Sequence, residues 1–378
     1  MTFGSASGPT DAPSAGPAAT LGTDPVKLVV YDGAGLKAVN EALTAEFTKQ
    51  HPNVTFELRL DPDNVQAVNA PRVLSSDTPP DVARINALSD IVKDNLLAPL
   101  TDYAALYKWD RIPAGQMAQY TVDENGVRGT GTQYTVASGF TMTGVYFNRD
   151  LAAQVGIDGV PATVAEYEAA LQKAKDAGLI GISAGNQNGQ VATSFQFLLN
   201  NNMGQEAING WIFHAPDATM DTPEAAAAGD TVADWAAKGY FGDKAGFGTP
   251  PVGDSGKALA MSDPLSNFGI PAKSKNKDAA AAFLEFLLSD EARQIVVDHG
   301  FAPSGPGEAL TGADELNNSV QAAFAKLVAD NGQVQFIQNA SNGATAEWNA
   351  QLQLLVSGNA TGASMVKAVQ AKYEDEVR

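Results

Sequence analysis

Three short polar stretches, each following an apolar run, carry the side chains with which this 378-residue chain could do chemistry. They are Tyr31-Asp32-Gly33, Arg84-Ile85-Asn86, and Gly185-Asn186-Gln187-Asn188-Gly189-Gln190. The last is rich in amides and uncharged. An amide offers donors and an acceptor in one plane, which suits the recognition of hydroxyl groups. The plainer alternative is a solvated loop. Reactive chemistry finds little support. The chain has no cysteine and three histidines, His51, His214 and His299, none three or four residues from another. Thiol nucleophiles, thiolate metal sites and H-E-x-x-H zinc motifs are therefore absent. No nucleotide-binding glycine fingerprint and no G-x-S-x-G elbow occurs. With 43 acidic residues a glycosidase-like carboxylate pair is conceivable, but no spacing singles one out.

These stretches lie at the ends of elements with an alternating strand and helix pattern. KLVVYDGAG is a strand ending in an Asp-Gly turn, and Leu36, Val39, Leu43 and Phe47 fall at helical spacing. NVTFELRL alternates Val54, Phe56, Leu58 and Leu60 as a strand, and PPDVARIN is a further short strand. A strand is expected at Val145-Tyr146-Phe147, followed by a short helix from Asn148-Arg149-Asp150. A helix over 163–178 is capped by Thr163, with Glu166 three residues on, and closed by Gly178. Residues 278–300 read as one long helix capped by Asp278, and two or three more helices follow from about Val320 to Tyr373. Strands alternating with helices predict an α/β fold with crossover connections, and the length favours two lobes.

The formal net charge of −19 argues against nucleic acid or an anionic membrane face as the main partner. With 44% hydrophobic residues the chain can bury proper cores. Residues 2–25, rich in Gly, Ala, Ser, Thr and Pro, form a flexible tether. Such a tether is what a removed secretion signal and lipid-anchored cysteine would leave; an ordinary disordered terminus is the alternative.

Several segments, in order and spacing, resemble the extracellular solute-binding proteins of bacterial ABC importers, in the sugar-binding branch related to maltose-binding protein. The carriers are TAEFTKQHPNVTFEL, TPPDVARIN, GVYFNRDLAAQVGI, FGIPAKSKNKDAAAAFLEFLLSDEARQ and the closing LLVSGNATGASMVKAVQAKYEDEV. Together they cover most of residues 26–378. The resemblance implies the type II periplasmic-binding-protein fold: two α/β lobes, each a sheet flanked by helices, with the ligand trapped between them by hinge closure. It implies lobe 1 from 26–134 with about 268–312, and lobe 2 from 135–267 with about 313–378. It implies a carbohydrate, an oligosaccharide in particular, as ligand, ABC permease subunits as partners, and a monomer. The location implied is the outer face of the cytoplasmic membrane or the periplasm. No cofactor, metal or catalytic residue is expected. A polyamine or metal-complex binder of the same fold, or a glycoside-processing enzyme, stands as the alternative.

Residue by residue, the resemblance places Tyr31, Asp32 and Gly33 in the first ligand loop, where Asp32 would accept sugar hydroxyls or merely shape its turn. Arg84 and Asn86 fall at a second contact loop, with Arg84 pairing a carboxylate as the alternative. Tyr134 falls where the chain crosses between lobes. Asn186, Asn188 and Gln190 supply the amide loop. Ser266, Asn267 and Phe268 precede the strand returning to the first lobe, and Asn339, Asn342 and Thr345 lie near the last cleft segment. Trp109, Trp211, Trp235 and Trp348 are assigned to packing. Relatives carry a further strand where GYFGDKAGFGTPPVGDSG runs here, so the comparison implies that about thirty residues are absent near Lys244–Ala245.

Overall fold

The computed structural model describes residues 17–18, 20–145, 147–183, 191–242, 259–305 and 310–377. Within them the strands, in chain order, are β1 (Val26–Gly33), β2 (Val54–Asp61), β3 (Val82–Arg84), β4 (Thr121–Val122), β5 (Thr132–Gln133), β6 (Thr135–Ala137) and β7 (Gly139–Met142). They continue with β8 (Ile182–Ser183), β9 (Phe241–Gly242), β10 (Ala260–Pro264), β11 (Asn267–Gly269), β12 (Ala302–Pro303) and β13 (Gln333–Val334). The first sheet has the order β2-β1-β3-β11-β6 and the second β12-β7-β10-β13. In the first, β1 runs parallel to β2 and β3, while β11 runs antiparallel to β3 and β6. The small pairs β4-β5 and β8-β9 complete the set.

The apolar patterns that mark these elements in the sequence become faces of two cores. Helix Lys37–Gln50 turns Val39, Leu43 and Phe47 onto the first sheet. There Phe47 meets Phe283 edge-on at 5.5 Å and Phe286 at 5.4 Å. The other face of that sheet is covered by Ala70, Val73 and Leu74 of helix Asp63–Ser75, so the sheet is buried on both sides. The second core gathers around Trp211, Trp235 and Trp348, with Tyr373 stacked 4.5 Å from Trp211. Helices Pro223–Ala237 and Gly362–Val377 pack so closely there that a Cβ on Gly362 would lie 1.9 Å from the Ala226 carbonyl oxygen. All four tryptophans are fully buried, as their assignment to packing requires.

Several elements depart from the expectations. Of the strand expected at 145–147, Val145 forms a bridge and Tyr146 lies outside the described residues, while the strand β7 stands just upstream, paired with β10 and β12. The long helix expected over 278–300 is two, Lys277–Phe286 and Asp290–Asp298; Ser289 breaks it by accepting the Ala292 N–H at 3.3 Å. Asp278 is not its cap: it accepts a hydrogen bond from the Tyr103 hydroxyl at 2.6 Å. Helix Val164–Asp176 follows its predicted capping, with Glu166 N–H donating to Thr163 Oγ1 at 3.1 Å. The tail forms Glu315–Ala329, Asn342–Val356 and Gly362–Val377.

The chain passes between the two sheets at Ser138, joining β6 to β7, and at Leu265-Ser266, joining β10 to β11. These crossings touch, with Ser138 N–H donating to the Ser266 carbonyl at 3.3 Å. β6 therefore belongs to the first sheet and β12 to the second, each across the lobe boundary expected from the sequence. Lys244 and Ala245 lie outside the described residues, so the expected junction does too.

Candidate ligand-binding site

The carboxyl ends of β1, β2 and β3 form one edge of the first sheet, the place where open α/β sheets receive ligands. Asp32 sits there with no solvent exposure. Its Oδ1 accepts the Gly33 N–H at 2.6 Å, and its Oδ2 accepts Asn40 Nδ2 at 2.7 Å and Ser266 Oγ at 2.8 Å. Arg84, the last residue of β3, approaches Asp32 at 3.5 Å and Asp63 at 3.1 Å. Both contacts use Nη1, so Nε and Nη2 donate to no acceptor among the described residues. A Cβ at Gly33 would lie 2.0 Å from Asp63 Oδ1, so a larger residue there would displace the Asp63 carboxylate. Burial pushes the Asp32 carboxyl above the usual aspartate range, against the pull of Arg84 and of its three hydrogen-bond donors.

Across the crossing strands stands Asp263 on β10. It is half-buried, and Asn339 Nδ2 donates to its Oδ1 at 2.8 Å. Asn339 also donates to Gln335 Oε1 at 3.2 Å, and Gln335 donates in turn to Gln119 Oε1 and, at 3.2 Å, to the Ser262 carbonyl. Burial raises the Asp263 carboxyl, while Arg128, Asn339 and Arg84 act to lower it. Asp263 lies three residues before Ser266, the donor to Asp32, so both sets of polar groups flank the same crossing. Arg128 lies on the β4-β5 turn, buried, with its guanidinium 4.8 Å over the Phe213 ring. Burial draws its own pKa down to about 10.

A carboxyl raised in the folded state binds more protons there than in the unfolded chain, so the protein loses stability from this group as pH rises through the interval between the two pKa values. Asp263→Asn, neutral throughout, should therefore gain on the wild type as pH is raised from about 4, the ordinary aspartate value, toward neutrality. Urea unfolding of both proteins across that range measures it; parallel pH profiles would refute it.

Of the residues proposed from the sequence, Asp32, Arg84 and Asn86 share the first edge. Asn86 is exposed and donates to Gln66 Oε1 at 2.9 Å, and Gln66 in turn donates to the Arg84 carbonyl at 2.9 Å. Tyr31 turns to the opposite face, where its hydroxyl donates to Asp61 at 2.7 Å; burial and Asp61 raise its pKa. Tyr134 packs half-buried against the same cluster. Phe268 is fully buried in the first core. Asn267 is buried, and its Oδ1 meets no donor among the described residues. Thr345 donates to the Ser341 carbonyl at 2.9 Å within helix Asn342–Val356. The Asn342 side chain and residues Asn186, Asn188 and Gln190 lie outside what is described. Sequence reasoning missed Asp63, Arg128 and Asp263. The available signals were a lone arginine within the glycine-rich GVRGTGTQ and an aspartate closing the apolar run ALAMSDP. Among the described residues no group of three or more His, Asp or Glu side chains is arranged for a metal ion, and no helix is long and apolar enough to cross a membrane.

Two α/β units joined by touching crossover strands, with polar groups flanking the crossing, define the class: a two-lobe protein of the type II periplasmic-binding-protein fold. More particularly, the chain belongs to the bacterial extracellular solute-binding protein family, whose model matches residues 32–294. Solved structures share the fold. A chitin oligosaccharide binding protein superposes with a TM-score of 0.72 at 17% identity, covering 94% of this chain and 99% of its own. The bacterial solute receptor AcbH, described as exclusive for β-D-galactopyranose, gives 0.74 at 15%, covering 93% and 100%. A family 1 extracellular solute-binding protein from Bifidobacterium longum subsp. infantis gives 0.70 at 20%, covering 93% and 100%. No curated protein sequence matches the chain.

Proposed function

We propose that the chain captures a carbohydrate between its two lobes, closes over it by a hinge at the crossing strands, and delivers it to the permease of an ABC importer. It does so as a monomer held at the outer face of the cytoplasmic membrane, and it performs no reaction on the ligand. The observation that carries the reading is Arg84 at the carboxyl edge of the first sheet, held through Nη1 by Asp32 and Asp63 while Nε and Nη2 have no acceptor among the described residues. Unused planar donors suit the oxygen atoms of sugar hydroxyls. Receptors of the same fold for a chitin oligosaccharide and for β-D-galactopyranose support it.

A thermal-shift panel of neutral sugars, spermidine and divalent metal ions tests the proposal. A ligand at a hundred times its Kd stabilises the folded state by about 2.7 kcal/mol, so the right sugar should raise Tm by several degrees. A panel in which only spermidine or a metal ion raises Tm would replace the carbohydrate reading, and turnover of a glycoside would replace the non-enzymatic one.

A further inference from the structure

We infer that an internal water site lies at the crossing between the lobes, built from Gln116, Tyr120, Ser138 and Ser304, and that the bound water ties the crossing strands to the segment before β4. All four residues are fully buried. Gln116 Nε2, the Tyr120 hydroxyl, Ser138 Oγ and Ser304 Oγ have no hydrogen-bond partner among the described residues. Four such atoms in one place call for a cause, because nearly all buried polar side-chain atoms in folded proteins are paired.

The backbone brings them together. β12 and β7 run antiparallel with Pro303 opposite Gly139, so Ser304 falls opposite Ser138, and its N–H donates to the Ser138 carbonyl at 3.4 Å. Opposite residues in such a pair turn their side chains to one face, with Cβ atoms about 4.5–5.5 Å apart. Phe140, two residues on from Ser138, shares that face and stacks on the Tyr120 ring, 6.4 Å between centroids. Burial raises the pKa of the Tyr120 hydroxyl; Ser304 and the Ala137 backbone, close by, oppose that rise without meeting it in hydrogen-bond geometry. Gln116 closes the group, its Oε1 accepting the Gly305 N–H at 2.8 Å. The four atoms are neutral: the amide nitrogen only donates, and the hydroxyls both donate and accept. An ion finds no opposite charge among them, and an apolar group would leave all four unpaired. A water, which makes about three hydrogen bonds when buried, satisfies them. The site also adjoins the polar edge of the first sheet, since Ser138 N–H donates to the Ser266 carbonyl at 3.3 Å and Ser266 Oγ donates to Asp32 at 2.8 Å.

Tyr120→Phe and Ser304→Ala each delete one hydroxyl without adding volume, and the sign of their effect is the test. With water in the site each variant loses a bond to it, and Tm should fall by about 2–4 °C. Without water the wild type buries an unpaired hydroxyl, and deleting it raises Tm. A Tm unchanged or raised in either variant therefore overturns the inference. Amide hydrogen exchange over 135–142, followed by mass spectrometry, should quicken about tenfold in both variants while that of β2 stays as in the wild type. Exchange unchanged over 135–142, or quickened equally in β2, would show that the site does not tie the crossing. A crystal structure of the full chain should hold an ordered water bonded to at least two of the Tyr120, Ser138 and Ser304 hydroxyls. Hydroxyls bonded directly to one another, with no water between them, would also overturn it.

Discussion

Replacing Asp32 by alanine is expected to cost about 3 kcal/mol of stability, within the range for removing one partner of a buried charge pair. The melting temperature should fall by roughly 6–12 °C, given about 2–4 °C per kcal/mol for lobes of this size. The reasoning is local. Asp32 is fully buried and gathers Gly33 N–H, Asn40 Nδ2, Ser266 Oγ and the Arg84 guanidinium at one point. Truncation leaves those donors without their acceptor, and a buried unsatisfied group costs about 1–3 kcal/mol. Arg84 keeps Asp63, which holds the total to the lower part of the range. Because the Asp32 carboxyl is raised, the wild type carries the cost of ionising it only above the ordinary aspartate value, so the deficit of the variant should widen as pH falls through that interval. Urea unfolding at neutral and acidic pH reads both effects. A loss below about 1 kcal/mol would mean that the edge of the first sheet does not depend on this carboxylate.

Arg84→Ala has a different signature. Ligand affinity should drop about tenfold to a hundredfold, the worth of one or two charge-assisted hydrogen bonds. The melting temperature should fall less than in the Asp32 variant. Asp32, already pushed upward by burial, escapes an unpaired charge by taking up a proton instead of holding it. Arg84→Lys keeps the positive charge beside Asp32 and Asp63 but loses the free Nε and Nη2 donors of the planar fork, and should bind with intermediate affinity. Titration of all three proteins with a sugar positive in the thermal panel decides the matter. An affinity unchanged by Arg84→Ala would remove Arg84 from the binding surface.

Much of the frame is legible in the amino-acid sequence because long elements carry their period openly. The alternation in Val54–Asp61, the spacing of Val39, Leu43 and Phe47, and the cap at Thr163 each point to the element observed. The strands at the crossing are another matter. β6, β7, β10 and β11 are three to five residues long, too short for a period to show, and their pairing joins segments far apart in the chain. The site suffers for a related reason. In a sheet buried on both faces, apolar character does not reveal which face or end meets the ligand. Tyr31 and Asp32 are neighbours in sequence, yet one turns its hydroxyl to Asp61 and the other its carboxylate to Arg84. Arg128 and Asp263 are linked only through the hydrogen bonds of Gln119, Gln335 and Asn339, a connection that no local motif records.

The threading of the first sheet also governs when it can form. β11 lies between β3 and β6, so Phe268 pairs with Arg84 on one side and Val136 on the other. A chain emerging from its N-terminus cannot close this sheet until residue 269 is free, by which time most of the intervening segments have been made. Non-local closure of this kind slows folding, because the entropy of the large loop is lost before the contacts are gained. The polar edge at Asp32 shares that delay, since Ser266, one of its donors, arrives on the same late segment. Completion of the first sheet and of the hydrogen-bond set around Asp32 thus both wait on β11 and the residues just before it.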